Sequence, residues 1–532
     1  MRGGSYRMFR GKQRRYAYRK MRSDDPKDVG DSQAVADVSS EDENRHVVRK
    51  KVALSRQTYW GSLAWNFLAF LLPALYSTLS KLWVANIDSD LVATTDSYTY
   101  MSTIAEVINE GLPRTAWLII GDTATRSLNS RLSLTFTLIT FQMIMGCLLT
   151  IIFVGAADAF AASFVPAEVR GASLDYVRIS APVALSSSIQ VAVASCTRAL
   201  DQPDVPLIIS SVGFITNIIL DLIVISKFHV GSFTPTVLTQ AGIRLACDMI
   251  SAFAGLAYLF ILTRRMKNNL LEVSDPEVKI RPSFNALKIL CRPAVSTFTE
   301  SAIRNAIYLW VVSRIIGLGK DYATAWGVFN TIRWGLIMVP VNALQQSSLT
   351  FVGHRWSHWH ARVDAANRRP AKGSFTWEDL RRIAKPAILS AAIAVAVEVP
   401  ICIFFSFWGM QRFSYYLSNS EDVADIAAKM WRNIDWCYIF YAITTQFSGI
   451  LLATVPRWYL FQSLGSNFLW MLPWAIVVTV KNFAEKEAWT YYATIFGGAL
   501  VFDFANVALV LYLWAWKLLQ GRMRLQPVTA SI

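Results

Sequence analysis

The sequence predicts an all-α polytopic membrane protein with twelve transmembrane helices arranged in two six-helix lobes. Three observations predict it. The 532 residues are 54% hydrophobic with a mean hydropathy of +0.34, and only 17% are charged, against about 25% in an ordinary soluble domain. Five windows (57–80, 132–157, 179–197, 334–353 and 458–480) carry no charge over the roughly 20 residues a helix needs to cross a bilayer. That is too many for the buried helices of a soluble core. Finally, the positive charge is concentrated in a few stretches that an even number of spans would place on one side. The apolar runs are continuous rather than alternating, which excludes a transmembrane β-barrel.

Residues 1–56 form a basic tail with fifteen Lys and Arg, nine of them in the first twenty-three residues, where no acid occurs. Those first twenty-three residues are poor in Ser and rich in Tyr, unlike a transit peptide, and no early apolar segment supplies a cleavable signal. No nucleic-acid-binding module accompanies it, so anionic membrane lipid is its expected partner. The first lobe, 57–263, holds spans near 61–84, 91–119, 133–157, 176–197, 205–228 and 240–262. A basic linker follows at 264–286. The second lobe, 287–518, holds spans near 287–315, 322–350, 384–408, 430–453, 458–480 and 489–516, and 519–532 is a short tail. Arg264–Arg292 adds seven basic residues and Arg355–Lys385 eight. The positive-inside rule therefore puts these stretches and both termini in the cytoplasm.

The two lobes echo one another. FLLPALYSTLSKLW (Phe70–Trp83) and ILCRPAVSTFTESA (Ile289–Ala302) align on Pro73 and Pro293. The second span of each carries a proline, Pro113 in EGLPRTAW and Pro340 in IMVPVNAL. TRALDQPDVPL before span five parallels LLATVPRWYL before span eleven. Two parallel six-helix repeats are an arrangement of carriers, in which one bundle rocks against the other around a midplane site.

The stretch TRALDQPDVPLIISSVGFITNIILDLIVIS (Thr197–Ser226) resembles the span-four to span-five passage of the MATE (multidrug and toxic compound extrusion) family. Pro206, Leu207, Asn217, Leu220 and Asp221 keep that family's pattern, while Ala199, Leu200 and Asp201 replace its glycine-rich turn. RPAVSTFTESA places Glu300 where the family often has a span-seven carboxylate, and YATAWGVFNTI and FVGHRW resemble the start and end of its span eight. The resemblance covers about Leu63 to Lys517. It implies two lobes and a secondary active antiporter that exports drugs, toxins or other organic solutes in exchange for H⁺ or Na⁺. In one respect the chain departs from the family: the span-one aspartate position falls on Ser80, beside Lys81.

An Asp, Lys or Arg at a membrane midplane costs roughly 2.5–3.5 kcal/mol, so such residues face protein or water and find partners. Asn217 and Asp221 lie one helical turn apart, either as a structural anchor or, as the resemblance implies, as a cation-coupling site that Lys81 could pair with. Glu300 and Arg304 have the spacing of an intrahelical ion pair; the resemblance implies coupling or substrate contact. Arg244 and Asp248 share that spacing and read as structural. Asp435 and Asp503, the latter with Asn506 nearby, are second-lobe candidates. Glu106 and Glu110 read as lobe-packing residues, and Glu398 as lying near a helix break before Pro400. If Lys81, Arg304 and Arg333 face a cavity, an organic-anion exporter becomes the alternative. A lipid-linked or polysaccharide flippase of the same superfamily is another, although it calls for a strongly basic first-lobe cavity.

No GxxxxGK[ST] loop, H-E-x-x-H or G-x-S-x-G motif occurs, so no ATP-driven pump or enzyme is expected. The six cysteines read as small buried hydrophobes rather than disulfide or metal ligands. HRWSHWH (His354–His360) reads as solvated loop. The expectation is a monomer of the plasma or vacuolar membrane, with no metal, no cofactor and no nucleic-acid partner.

Overall fold

The computed structural model describes residues 58–87, 94–123, 126–225, 234–268, 280–363, 373–481 and 485–523, all helical or connecting turns. The basic tail, the acidic loop Asp88–Asp90, most of the linker and most of the C-terminal tail lie outside these.

Every predicted span has a helical counterpart. In the first lobe these are α1 (Tyr59–Ile87), α2 (Asp96–Asn109) with the short α3 (Ala116–Ile119), α4 (Leu128–Gly155), then the short α5 (Ala157–Phe164). There follow α6 (Arg170–Ser180) leading into α7 (Val183–Ala199), α8 (Val205–Val224) and α9 (Val237–Asn268). The second lobe has α10 (Phe284–Ile316), α11 (Lys320–Ile332), α12 (Met338–Arg362), α13 (Trp377–Phe404), the short α14 (Met410–Ser418) and α15 (Glu421–Ile434). It ends with α16 (Cys437–Thr454), α17 (Pro456–Ser466), α18 (Leu472–Lys481) and α19 (Glu485–Leu519).

Prolines set the interruptions, because a helical proline donates no hydrogen bond and clashes with the carbonyl four residues back. Four residues before Pro113 is Asn109, where α2 ends, and a 3₁₀ turn (Pro113–Thr115) carries the chain into α3. Four before Pro340 is Leu336, inside the π-helical turn Arg333–Ile337 that joins α11 to α12. Four before Pro473 is Leu469, inside the π turn Asn467–Met471. The sequence echo before spans five and eleven is also structural, since α8 and α17 each begin with a proline in the first turn. Glu398, by contrast, sits in unbroken helix: α13 runs through Pro400 to Phe404.

Across the lobe boundary α1 packs on α12, and α2 on α10. First helix therefore meets second in both directions, the crossed pairing that two parallel repeats about a twofold axis require. The outer faces are apolar and exposed, as with Ile151 (69%) on α4, Leu222 (53%) on α8 and Leu469 (70%). Contiguous apolar surface of this kind belongs against lipid, not water.

Nine helical stretches among the described residues are long and apolar enough to cross a membrane. The three predicted spans missing from that set are 91–119, 287–315 and 322–350. These three carry Glu106, Glu110, Arg114, Glu300, Arg304 and Arg333, and they line the interior. The chain is an integral, multi-pass, all-α membrane protein.

Two local readings need correction. Cys147 is exposed and Cys291 half-buried, because an apolar helix also presents residues to lipid. The HRWSHWH stretch is helical, since α12 runs on to Arg362. Trp356 and Trp359 are buried there, Trp356 against Trp514 (ring centroids 6.2 Å apart) and Trp359 against Phe375 (4.9 Å). Both rings would be unburied if the helix stopped at the predicted 350.

Candidate functional site

The two lobes enclose a central cavity of about 670 Å³. Four carboxylates and four guanidiniums line it: Glu106, Glu110, Glu300 and Asp503, with Arg114, Arg198, Arg304 and Arg333. Glu300 and Arg304 stand one turn apart on α10, and Glu110 and Arg114 have the same spacing where α2 gives way to the 3₁₀ turn. Within the lobes the contacts are Arg304 Nε to Glu300 Oε1 at 2.9 Å and Arg114 Nη1 to Glu110 Oε2 at 3.2 Å. Between the lobes, Arg114 Nη1 lies 3.1 Å from Glu300 Oε2, and Arg304 Nη2 pairs closely with Glu110 Oε2.

The result is a closed ring of two acids and two guanidiniums, half from each lobe. Neutral donors complete it. Ser463 Oγ donates to Glu300 at 2.8 Å and Ser301 Oγ to Glu110 at 2.7 Å, and the Arg114 guanidinium lies 5.3 Å from the centre of the Tyr459 ring. Beside the ring, Thr297 Oγ1 donates to the Gly111 carbonyl at 2.7 Å, a further bond across the lobes. The Glu300 side chain is only 1% exposed, against 24% for Glu110. Charges this buried are held only when paired and hydrogen-bonded.

Asp503 is close by on the same wall. Gln462 Nε2 donates to it at 2.6 Å and Ser466 Oγ donates as well. Asn506 turns instead to the Gln462 carbonyl and to Ser466 Oγ. Thus Glu300, Arg304 and Asp503 converge on the cavity. The spacing-based pairing of Glu300 with Arg304 is present, but as half of a larger ring.

The other candidates are elsewhere. Asn217 Nδ2 donates to Asp221 Oδ2 at 2.8 Å, and both are buried. They lie outside the cavity wall, and Asn217 Oδ1 and Asp221 Oδ1 have no hydrogen-bond partner among the described residues. Lys81 does not pair with Asp221. Its ammonium donates to Asp96 Oδ1 at 2.6 Å and to the Gly327 carbonyl, across the lobe boundary, at 3.0 Å. Asp96 is nearer because it opens α2 beside the far end of α1. Asp435 is no part of the cavity either. It occupies the junction of α15 and α16, where it accepts from the Trp436 amide at 2.7 Å and from Ser406 Oγ. The apolar face of α15 had merged with the next span in the sequence, drawing that acid into the membrane.

Arg244 and Asp248 do not form a direct ion pair; the Tyr98 hydroxyl donates to Asp248 while the guanidinium lies 3.4 Å from the centre of the Tyr98 ring. At the end of the bundle where α1 begins, His354 Nε2 lies 3.3 Å from Asp201 of the first lobe, and Ser357 donates to Asp122 at 2.9 Å.

Glu110, expected as a packing residue, and Arg114, which is not among the sequence candidates, are both members of the ring. The signal was present: E-x-x-x-R occurs at 110–114 and at 300–304, on the second span of one lobe and the first of the other. No candidate metal cluster of three or more His, Cys, Asp or Glu occurs among the described residues.

No family model and no curated protein matches the sequence. Solved structures do match the fold. A MOP superfamily transporter from Pyrococcus furiosus, described as having a binding pocket of reversed polarity that suggests a different function, aligns with a TM-score of 0.65 at 14% identity. That alignment covers 87% of this chain and 98% of that one. A multidrug resistance MATE family transporter in an outward-facing conformation aligns at 0.61 and 14% identity (86% and 97% covered), and an inward-facing one at 0.58 and 15% (83% and 95%). Nearly the whole of each neighbour is matched, so the resemblance read from Thr197–Ser226 holds at the level of the fold: this chain has the architecture of the MATE transporters of the MOP superfamily.

Proposed function

We propose that the chain is a divergent MATE-type secondary active transporter that exports organic solutes in exchange for H⁺ or Na⁺ by alternating access. The observation that supports this reading is the ring of Glu110, Arg114, Glu300 and Arg304 closed across the lobe boundary beside the cavity. If the lobes part, two of its four contacts break. Each lobe then keeps one acid and one guanidinium a helical turn apart, so neither is left with an uncompensated buried charge, the costly outcome for an ion pair. A proton on Glu300, or Na⁺ in place of a guanidinium, weakens the hold of Arg114 and lowers the barrier to parting. Ion binding and lobe movement are thereby coupled.

On this reading the chain is a carrier without catalytic chemistry, works as a monomer in the plasma or vacuolar membrane, and keeps its basic segments on the cytoplasmic face against anionic lipid. The balanced charges of the cavity do not favour a flippase, which calls for a strongly basic one.

The test is efflux of fluorescent organic cations and anions from proteoliposomes under imposed H⁺ and then Na⁺ gradients. One gradient should drive efflux, and Glu300→Gln should uncouple it while Asp221→Asn does not. If neither gradient moves any member of the panel, the reading is wrong.

A further inference from the structure

Two of the four cavity guanidiniums are spent on the ring; Arg198 and Arg333 are not. Arg198 Nε donates to Asn66 Oδ1 at 2.9 Å and the guanidinium lies 5.3 Å from the Phe70 ring centre. Arg333 has no carboxylate within 4.0 Å among the described residues, and its buried Nε has no hydrogen-bond partner. It projects from the π turn Arg333–Ile337; such a turn inserts an extra residue, re-aims side chains and is frequent at functional sites. The guanidinium lies 5.7 Å from the Tyr308 ring centre and 5.3 Å from that of Trp334, and Tyr308, Tyr438 and Tyr441 line the same cavity. A guanidinium and several phenolic hydroxyls form a set of donors with no acceptor of matching charge, and such a set is complete when it holds an anion. Glu106 lines the same cavity but forms no ion pair with Arg333. Next to this donor set, the half-buried Trp334 ring lines the cavity.

We propose that Arg333, with Tyr308, Tyr438 and Tyr441, seats the carboxylate, sulfonate or sulfate of an aromatic organic anion whose ring lies against Trp334. This names the substrate class of the proposed transporter and rests on that reading, but it is a binding claim and can be tested without a gradient.

The experiment is calorimetric titration of the full chain in detergent with two probes of one ring and opposite charge, naphthalene-2-sulfonate and naphthylmethylammonium. The sulfonate should bind and the ammonium should bind at least tenfold more weakly. Arg333→Gln should weaken the sulfonate at least tenfold, Arg333→Lys should recover part of that, and Asp221→Asn should leave it unchanged. Tyr438→Phe, which removes one hydroxyl and keeps the ring, should weaken it severalfold and serves if Arg333→Gln fails to fold. Equal or tighter binding of the ammonium, or a sulfonate affinity indifferent to Arg333→Gln and Tyr438→Phe, overturns the proposal. Sulfonate binding that depends on Arg333 in a chain that no gradient drives would support this site and remove the transport reading. Gradient-driven flux of the ammonium probe, insensitive to Arg333→Gln, would do the reverse.

Discussion

At Gly327 the second lobe packs closely against the first. Its carbonyl receives the Lys81 ammonium, and its α-carbon faces the Asp96 carboxylate that holds the same ammonium. A methyl group at this position would lie 1.9 Å from Asp96 Oδ2 and 2.8 Å from Cγ, where ordinary contact begins at 3.4 Å. In Gly327→Ala the carboxylate must retreat by about 1.5 Å, and overpacking of this order costs about 1–3 kcal/mol. Asp96 opens α2 and is only 4% exposed, so it has no free volume to swing into. The lobes must separate there instead. Only the arrangement with the lobes together bears the cost, so its population relative to an opened one should fall about 5- to 150-fold. The assay is maleimide labelling of Val312→Cys, which is fully buried in the apolar cluster joining the lobes, with the six native cysteines replaced by alanine. Labelling should quicken by that factor in the Gly327→Ala background. Equal rates, with Gly327→Ala folded and of unchanged Tm, would refute the idea that this contact holds the lobes together.

Three further outcomes are expected, each read as Tm in detergent. Glu300→Gln should cost about 3–5 kcal/mol, because it strips two guanidiniums of a partner at a site only 1% exposed; Glu110→Gln, at a site 24% exposed, should cost less, and the reverse order would contradict the burial argument. Lys81→Met leaves Asp96 charged and alone and should destabilise by a similar amount, whereas Lys81→Met with Asp96→Leu should regain most of the loss; a double variant as poor as the sum of its singles would show that the pair is not coupled. Glu398 is fully buried with both carboxyl oxygens unpartnered, so Glu398→Leu should raise Tm, removing a desolvation cost of about 1–3 kcal/mol; a fall in Tm would mean that the carboxyl has a partner.

Much of the architecture was legible because hydropathy and charge act locally. A charge-free window is a span whatever surrounds it, and Pro113, Pro340 and Pro456 mark real interruptions or starts of helices. Glu300 with Arg304 could be read from their spacing for the same reason. Their partners could not. Glu110 and Arg114 lie far off in sequence, in EGLPR, which reads as a turn, and only the crossed packing of α2 on α10 brings the pairs together. Lys81 failed differently. The choice between Asp96 and Asp221 depends on which acid stands beside the end of α1, and nothing in either neighbourhood decides that. His354–His360 looked like loop because its charges are near a basic segment, while the Trp rings that keep it helical find Phe375 and Trp514 only after folding.

The three spans that carry most of the cavity's charges also constrain how the protein is made. Helices leave the translocation machinery in order, and one with Glu106, Glu110 and Arg114 faces roughly 7–10 kcal/mol of insertion cost if each charge counts alone. Glu110 and Arg114 offset part of that by pairing with each other, which lets the first half settle in the bilayer before Glu300 and Arg304 exist. The second half arrives with its own pair already made. A ring that only closes when both halves are present is thus assembled from two parts that can each wait, and none of its four members need be a lone charge in lipid at any stage.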